Sequence, residues 1–327
     1  MTQTEYIEQL ITPYGPAVPV KSLVIELNRL YHCFEAKEYD SGHPEVHEQL
    51  PPIWAEMIHK ATSLPGQKRW DILDFGCGTG FEATQLVDVL GPSRIRSLTC
   101  YDPSPEMLAI CRAKLEPRVS ETRFVTSFAE VFESPRPYDI LATNSLLHHL
   151  PAPVEEIRTL ERIMNGGAWW LMGHEPSRRF YENPDCAAEL REYRAQYKLR
   201  KLGNPVAVWQ KLRALCGTGS DPARSTATAA WKSGLFTRRP PASVIGRLVD
   251  YNVPHSVSEA AAGRGFDFQQ LASEFSAFWR LEWVKSYSFM GPYPQRQLGL
   301  DWQTRCERLS SKYPLDGANF AVVWRRA

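Results

Sequence analysis

No two of the seven cysteines, Cys33, Cys77, Cys100, Cys111, Cys186, Cys216 and Cys306, stand as a CxxC pair, and an odd count leaves one unmatched in any disulfide set. This argues against a zinc ribbon or a disulfide frame and fits reduced thiols in a cytosolic protein. An excess of charge is missing too: 38 basic against 37 acidic residues give a net charge of +1. So even a balance supplies no electrostatic drive toward nucleic acid or anionic lipid. The short basic clusters at residues 198–201 and 238–239 read as solvated surface. Long apolar runs are also lacking. The densest, residues 168–172, is far too short to span a bilayer. The opening MTQTEYIEQL has no basic region followed by an apolar core, so no signal peptide is expected. The expectation is a soluble cytoplasmic protein that acts on a small molecule, with no nucleic-acid or membrane partner.

What is present is a chain of 327 residues, 43% hydrophobic, enough for one large domain with additions or two small ones. Leu23, Leu27, Leu30, Tyr31 and Phe34 form one helical stripe, and Pro51-Pro52 offers the start of a second helix through Lys60. Pro65-Gly66 then breaks the chain. From Trp70 the rhythm alternates: strands at 71–75, 95–101, 122–126, 138–143 and 168–172, with helices at 79–90, from Ser104-Pro105, and at 153–164. Such alternation predicts a parallel, doubly wound sheet. Afterwards come helical stretches at 184–202, 205–215, 242–250 and 267–281, a loop at 217–229, and two last strands at 283–290 and 319–326.

The stretch DILDFGCGTGFEATQL, residues 71–86, ends a buried strand in an acid and places Gly76, Gly78 and Gly80 at alternate positions before a helix. Glycines belong where backbone turns tightly or a ligand touches main chain. The dinucleotide loop is spaced GxGxxG, whereas this one is GxGxG. A carboxylate at Asp74 facing such a pocket repels a pyrophosphate and favours an ammonium group. The second strand ends in CYDPSPEML, where Asp102 is placed to accept from a ribose diol. A ligand with a ribose, a positive charge and no phosphate satisfies these features; S-adenosylmethionine (SAM) has that inventory.

Residues 71–83 and 98–108 closely resemble motifs one and two of the class I SAM-dependent methyltransferases, and the likeness continues through YDILATNSLLHHL and the final strand pair. The resemblance implies an α/β fold with a mostly parallel seven-stranded sheet. Its parts are an N-terminal helical lid (1–66), a Rossmann-like SAM-binding core (67–176), a helical cap insertion (177–281) and two last strands (282–327). It places Gly76, Cys77, Gly78 and Gly80 along the methionine part of SAM, Asp102 on the ribose, and Pro103 and Met107 beside the adenine. Where many relatives carry an acid after the third strand, this chain has Ser127 and Phe128. Tyr31, Asp74, Asn144 and Ser145 complete the implied contacts.

The run after the fourth strand, TNSLLHHL, narrows the chemistry. The Asn-Pro-Pro-aromatic motif of nucleobase amino-methyltransferases is missing, and Asn144 is neutral where catechol methyltransferases carry metal-binding carboxylates. No metal is expected, because adjacent side chains on a helix, as at His148-His149, point apart. His148 is a candidate general base, with packing beside the sheet as the alternative. Phe180-Tyr181 either faces the sulfonium by cation–π attraction or packs the cap.

The segments YHCFEAKEYDSGHPEVHEQ, TNSLLHH and EPSRRFY are similar to the azetidine-2-carboxylate synthases, SAM cyclases on the methyltransferase fold. That resemblance implies that Asn144 and Tyr181 hold the reacting end while the amine of SAM displaces methylthioadenosine, with the product passed to a peptide synthetase. Cyclisation is the leading expectation. Methyl transfer to an oxygen, nitrogen or carbon of a small molecule is the alternative. A catalytically silent binding subunit is a third, opposed by the complete glycine loop and Asp102.

Overall fold

The computed structural model describes residues 3–63, 69–202, 221–291 and 299–327. Seven strands form one sheet: β1 (Trp70–Phe75), β2 (Ile95–Tyr101), β3 (Thr122–Val125), β4 (Tyr138–Asn144), β5 (Met164–Pro176), β6 (Trp279–Tyr287) and β7 (Asn319–Arg326). Their order is β3-β2-β1-β4-β5-β7-β6, with β7 antiparallel to both neighbours and the other pairs parallel. This is the Rossmann-like fold of class I methyltransferases.

Alternate residues along each strand feed two cores. Ile72, Ile140, Leu171 and Val323 point to one face, where the helices Pro44–Thr62, Phe81–Leu90 and Pro105–Leu115 cover them. Leu73, Leu141, Trp170, Val322 and Trp324 point to the other, under the helices Pro153–Leu160 and Phe268–Phe275. Both faces are sealed, which is why every residue of β1 and β4 is buried and not every second one. The chain runs from β1 to β2 on one side and to β4 on the other. The switch point between β1 and β4 therefore opens a crevice at the carboxyl ends of the strands.

Several boundaries differ from the sequence expectation. Segment 1–66 divides in two. Ile7, Ile11, Leu23, Val24 and Leu27 share a core with Ala227, Phe236, Ile245 and Leu248 of the cap, so lid and cap are one helical body. The helix Pro44–Thr62 instead packs on the sheet through Trp54, Met57 and Ile58. That helix starts at Pro44, not Pro51, and carries Pro51 and Pro52 inside it. Those prolines offer no N–H to the carbonyls of His47 and Glu48, two residues exposed to water.

The described part of the expected loop is the helix Pro222–Lys232, capped by Asp221, whose side chain accepts from Arg224 N. An Asp-Pro start signal stands there, and a composition rich in Ser, Thr and Ala hides it. The expected helix at 205–215, the rest of that loop and the break at 65–66 lie outside the described residues. The last cap helix stops at Phe275, and β6 begins at Trp279. No helix among the described residues is long and apolar enough to cross a membrane.

Candidate active site

The glycine loop bends because three residues adopt left-handed backbone: φ is 79° at Gly76, 49° at Gly78 and 87° at Gly80. The amides of Gly76 and Cys77 both donate to Tyr101 O at 2.9 Å, which ties the loop to the end of β2. Asp102 then closes it. Its Oδ2 accepts from Gly78 N and its Oδ1 from Ser104 N, each at 2.9 Å. Burial pushes the Asp102 carboxyl up, against the pull of these two amides. Ser104 caps the next helix by accepting from Met107 N at 3.2 Å, with Pro105 in the first position.

Above this loop lies a cavity of about 350 Å³. Among the expected residues, Gly76, Cys77, Gly78, Asp102, Pro103, Met107, Phe128, Asn144 and Ser145 line it. Cys77 contributes backbone, since its thiol is buried with those of Cys100 and Cys111, all within 4.8 Å of one another. Phe75, Phe81 and Tyr101 add aromatic wall. Asn144 is fixed from behind, as its Oδ1 accepts from Trp54 Nε1 at 3.1 Å. A Cβ on Gly173 would come within 2.5 Å of that Asn144 oxygen, so the close approach requires glycine.

Other expected residues stand elsewhere. Asp74 is fully buried behind the loop and accepts from Ala83 N at 3.1 Å, so it secures the start of the following helix instead of facing an ammonium. Burial pushes its carboxyl well up. Besides Asp102, the acids on the cavity wall are Glu82 and Glu156; burial pushes the Glu82 carboxyl up, which an ammonium beside it would reverse. Gly80 turns toward Cys111, 2.9 Å from where its Cβ would be. Ser127 precedes the short helix Phe128–Val131 and is not on the wall. Tyr181 is packed with Phe180, Leu190, Tyr193 and Trp302 in the core of the cap and does not line the cavity. The ring pair packs the insert, because the helices Pro184–Leu202 and Leu300–Lys312 close over it.

A second cavity, about 290 Å³, adjoins the first and shares His32, Tyr39, Val46, Ser145 and His149 with it. Tyr31 and His148 line this one and not the first. Its floor is the turn Leu147–His149 at the end of β4. Glu175 holds that turn. Its Oε1 accepts from Leu146 N and Leu147 N at 2.8 Å, and its Oε2 from His148 N at 3.2 Å and from His148 Nδ1 at 3.0 Å. A bulge in β5 between Met172 and Glu175, with His174 at φ 57°, aims the carboxylate there. The turn also overturns the expectation that the two imidazoles diverge: their centroids are 4.1 Å apart. Burial holds His149 well below the usual imidazole range.

The N-terminal helices form the roof. Asp40 accepts from Thr79 Oγ1 at 2.6 Å and from Lys114 Nζ at 2.7 Å, pinning the roof to the glycine loop. Glu35 lies 3.3 Å from His32 Nδ1 and 3.2 Å from His43 Nε2. Burial pushes its carboxyl up, but the two imidazoles outweigh that and bring it down to about 2. A carboxyl lowered from 4.5 stabilises the fold above that pH and loses its contribution as pH falls toward 2. Glu35→Gln is therefore expected to cost about 1–3 kcal/mol at pH 5 and about a third of that or less near pH 2.5, as read from urea unfolding at the two pH values.

Sequence reasoning missed Glu82, His32, Tyr39, Gly173 and Glu175 as parts of the site. Glu82 had a signal, directly following the last glycine and Phe81. Glu175 is separated from the turn it holds by 27 to 29 residues, and no local pattern marks it.

Residues 72–167 match a family described as a methyltransferase domain. The chain is 31% identical over 132 residues to the ubiquinone biosynthesis O-methyltransferase of Pseudomonas putida, covering 39% of this chain and 52% of that protein. It is 28% identical over 108 residues to the protein of the same name from Nitrosomonas europaea, covering 32% and 44%. The chain thus spans about half the length of the curated relatives it matches. Among solved structures, the plantazolicin methyltransferase BpumL in complex with S-adenosylhomocysteine aligns over 94% of this chain and 98% of its own, at 13% identity and a TM-score of 0.44.

Proposed function

We propose that the chain transfers the methyl group of SAM to a small molecule entering through the second cavity, a reading supported by the match of residues 72–167 to a methyltransferase domain. The observation that carries this reading is the adjoining pair of cavities with His149 and Ser145 in both walls. Displacement at a sulfonium methyl needs a nucleophile in line behind it and relieved of its proton. The first cavity offers a nucleoside-sized site with Asp102 for the ribose and Glu82 for the methionine amine. The second offers a separate approach, flanked by a neutral His149 and by His148 with Glu175 behind it. Either imidazole accepts a proton from an acceptor oxygen or nitrogen there. Relatives named for O-methylation favour oxygen.

Cyclisation of SAM is the second reading. It is favoured by Asn144 on the wall of the first cavity and by the aromatic lining, which keeps water from the amine and sulfonium. It is weakened because Tyr181, the other residue it requires, lies in the cap core. Incubating the pure protein with SAM alone separates the two. Methyl transfer is expected to leave SAM intact until an acceptor phenol, acid or amine is supplied, and then to release S-adenosylhomocysteine. Methylthioadenosine formed without any acceptor would instead establish the cyclase.

A further inference from the structure

His148 and His149 are held in a way that a proton shuttle does not require of both. The Nδ1 of His148 lies 3.0 Å from Glu175 Oε2, and the Nδ1 of His149 lies 2.8 Å from Val249 O. A backbone carbonyl only accepts, and an ionised carboxylate only accepts. In its neutral form each ring therefore carries its proton on Nδ1 and has its lone pair on Nε2. An acceptor fixed behind Nδ1 is the usual outer partner of a metal-bound imidazole, because it sets the tautomer and the ring plane. Asp250 follows Val249 directly and brings a carboxylate to the same place. One donor atom from each of His148, His149 and Asp250 lies within 4.8 Å of the others. All three residues line the second cavity.

We propose that His148, His149 and Asp250 form a binding site for a divalent transition-metal cation, of the zinc or ferrous type, with its open positions facing the second cavity. Two imidazole nitrogens and one carboxylate suit such borderline cations and not magnesium or calcium, which take oxygen donors. Bonds of about 2.1 Å in tetrahedral geometry put donor atoms about 3.4 Å apart. Donor atoms within 4.8 Å of one another need to close by at most about 1.4 Å to reach that spacing. A cation held on Nε2 of both rings takes up the lone pairs that would otherwise receive an acceptor's proton, so the imidazoles serve as bases only in the metal-free protein.

The test is direct binding to the full chain after chelator treatment, using Co²⁺ and Zn²⁺ as probes. One equivalent of Co²⁺ should bind with visible d–d bands and without a sulfur-to-cobalt charge-transfer band. Asp250→Asn and His149→Gln should each weaken binding at least tenfold, with far-UV circular dichroism confirming that the variants are folded. Cys111→Ser should bind as the wild type does. Absence of cobalt binding would overturn the proposal. So would a charge-transfer band lost in Cys111→Ser, which would assign the metal to the buried thiols of Cys77, Cys100 and Cys111. Equal affinity in Asp250→Asn and His149→Gln would overturn it as well.

Discussion

Asp102→Asn is expected to raise the dissociation constant for SAM about a hundredfold, because one carboxylate does three jobs. It closes the glycine loop through Gly78 N, starts the next helix through Ser104 N, and faces the cavity at the end of β2. Asparagine keeps the shape but has one accepting oxygen. Its amide nitrogen must then face one of the two backbone N–H groups, donor against donor. The bond to a ribose hydroxyl also loses its charge, and a hydrogen bond to a charged group contributes about 1.5–3 kcal/mol. A hundredfold change corresponds to about 2.7 kcal/mol, so losing the charge and straining the loop together account for it. Calorimetric titration with SAM and with S-adenosylhomocysteine checks this. A dissociation constant within threefold of the wild-type value for both ligands would show that the nucleoside does not sit on Asp102.

How much of this site is legible in the sequence depends on how local each signal is. The glycine loop, Asp102 and the Ser104-Pro105 start lie within a few residues of the contacts they make, and their chemistry is local. The order of β1 to β5 is legible because each strand is bounded by its own turn residues. Asp74 is misplaced because a sequence shows an acid at a strand end but not which way it points, and here it points into the core. Tyr181 enters by its place after the fifth strand and by resemblance, and the packing of the cap over it is invisible without the helices that close there. The shared core of the first helices and the cap joins residues some 200 positions apart, such as Leu27 and Ala227, and no periodicity reports such a pairing. The site is therefore legible along the glycine loop and illegible where it meets the second cavity. That second part is built from long-range contacts among the N-terminal helices, the cap and the bulge in β5.

The largest loss of turnover is expected at a residue that touches no ligand. Glu175→Gln should lower SAM consumption, read as either nucleoside product, by at least thirtyfold while changing SAM affinity less than threefold. Glu175 is fully buried and receives four donors, three from the backbone of residues 146–148 and one from His148 Nδ1. Glutamine turns one accepting end into a donor, so two of the four bonds meet an N–H with nowhere to go. Leaving buried polar groups unpaired costs about 1–3 kcal/mol each, and the turn Leu147–His149 relaxes to relieve it. The consequence for chemistry is geometric: His148 loses the fixed Nδ1–H tautomer, and both imidazoles lose their placement beside the nucleoside cavity. A purely structural role predicts a lower melting temperature with normal turnover in the molecules that remain folded. A positioning role predicts, in addition, that the ¹⁵N shifts of the His148 ring move from the Nδ1–H pattern toward a mixture of tautomers. Normal turnover in folded Glu175→Gln, with an unaltered ring tautomer, would remove the imidazoles of this turn from the reaction and return the search for a base to the N-terminal roof, where His32 and His43 flank Glu35.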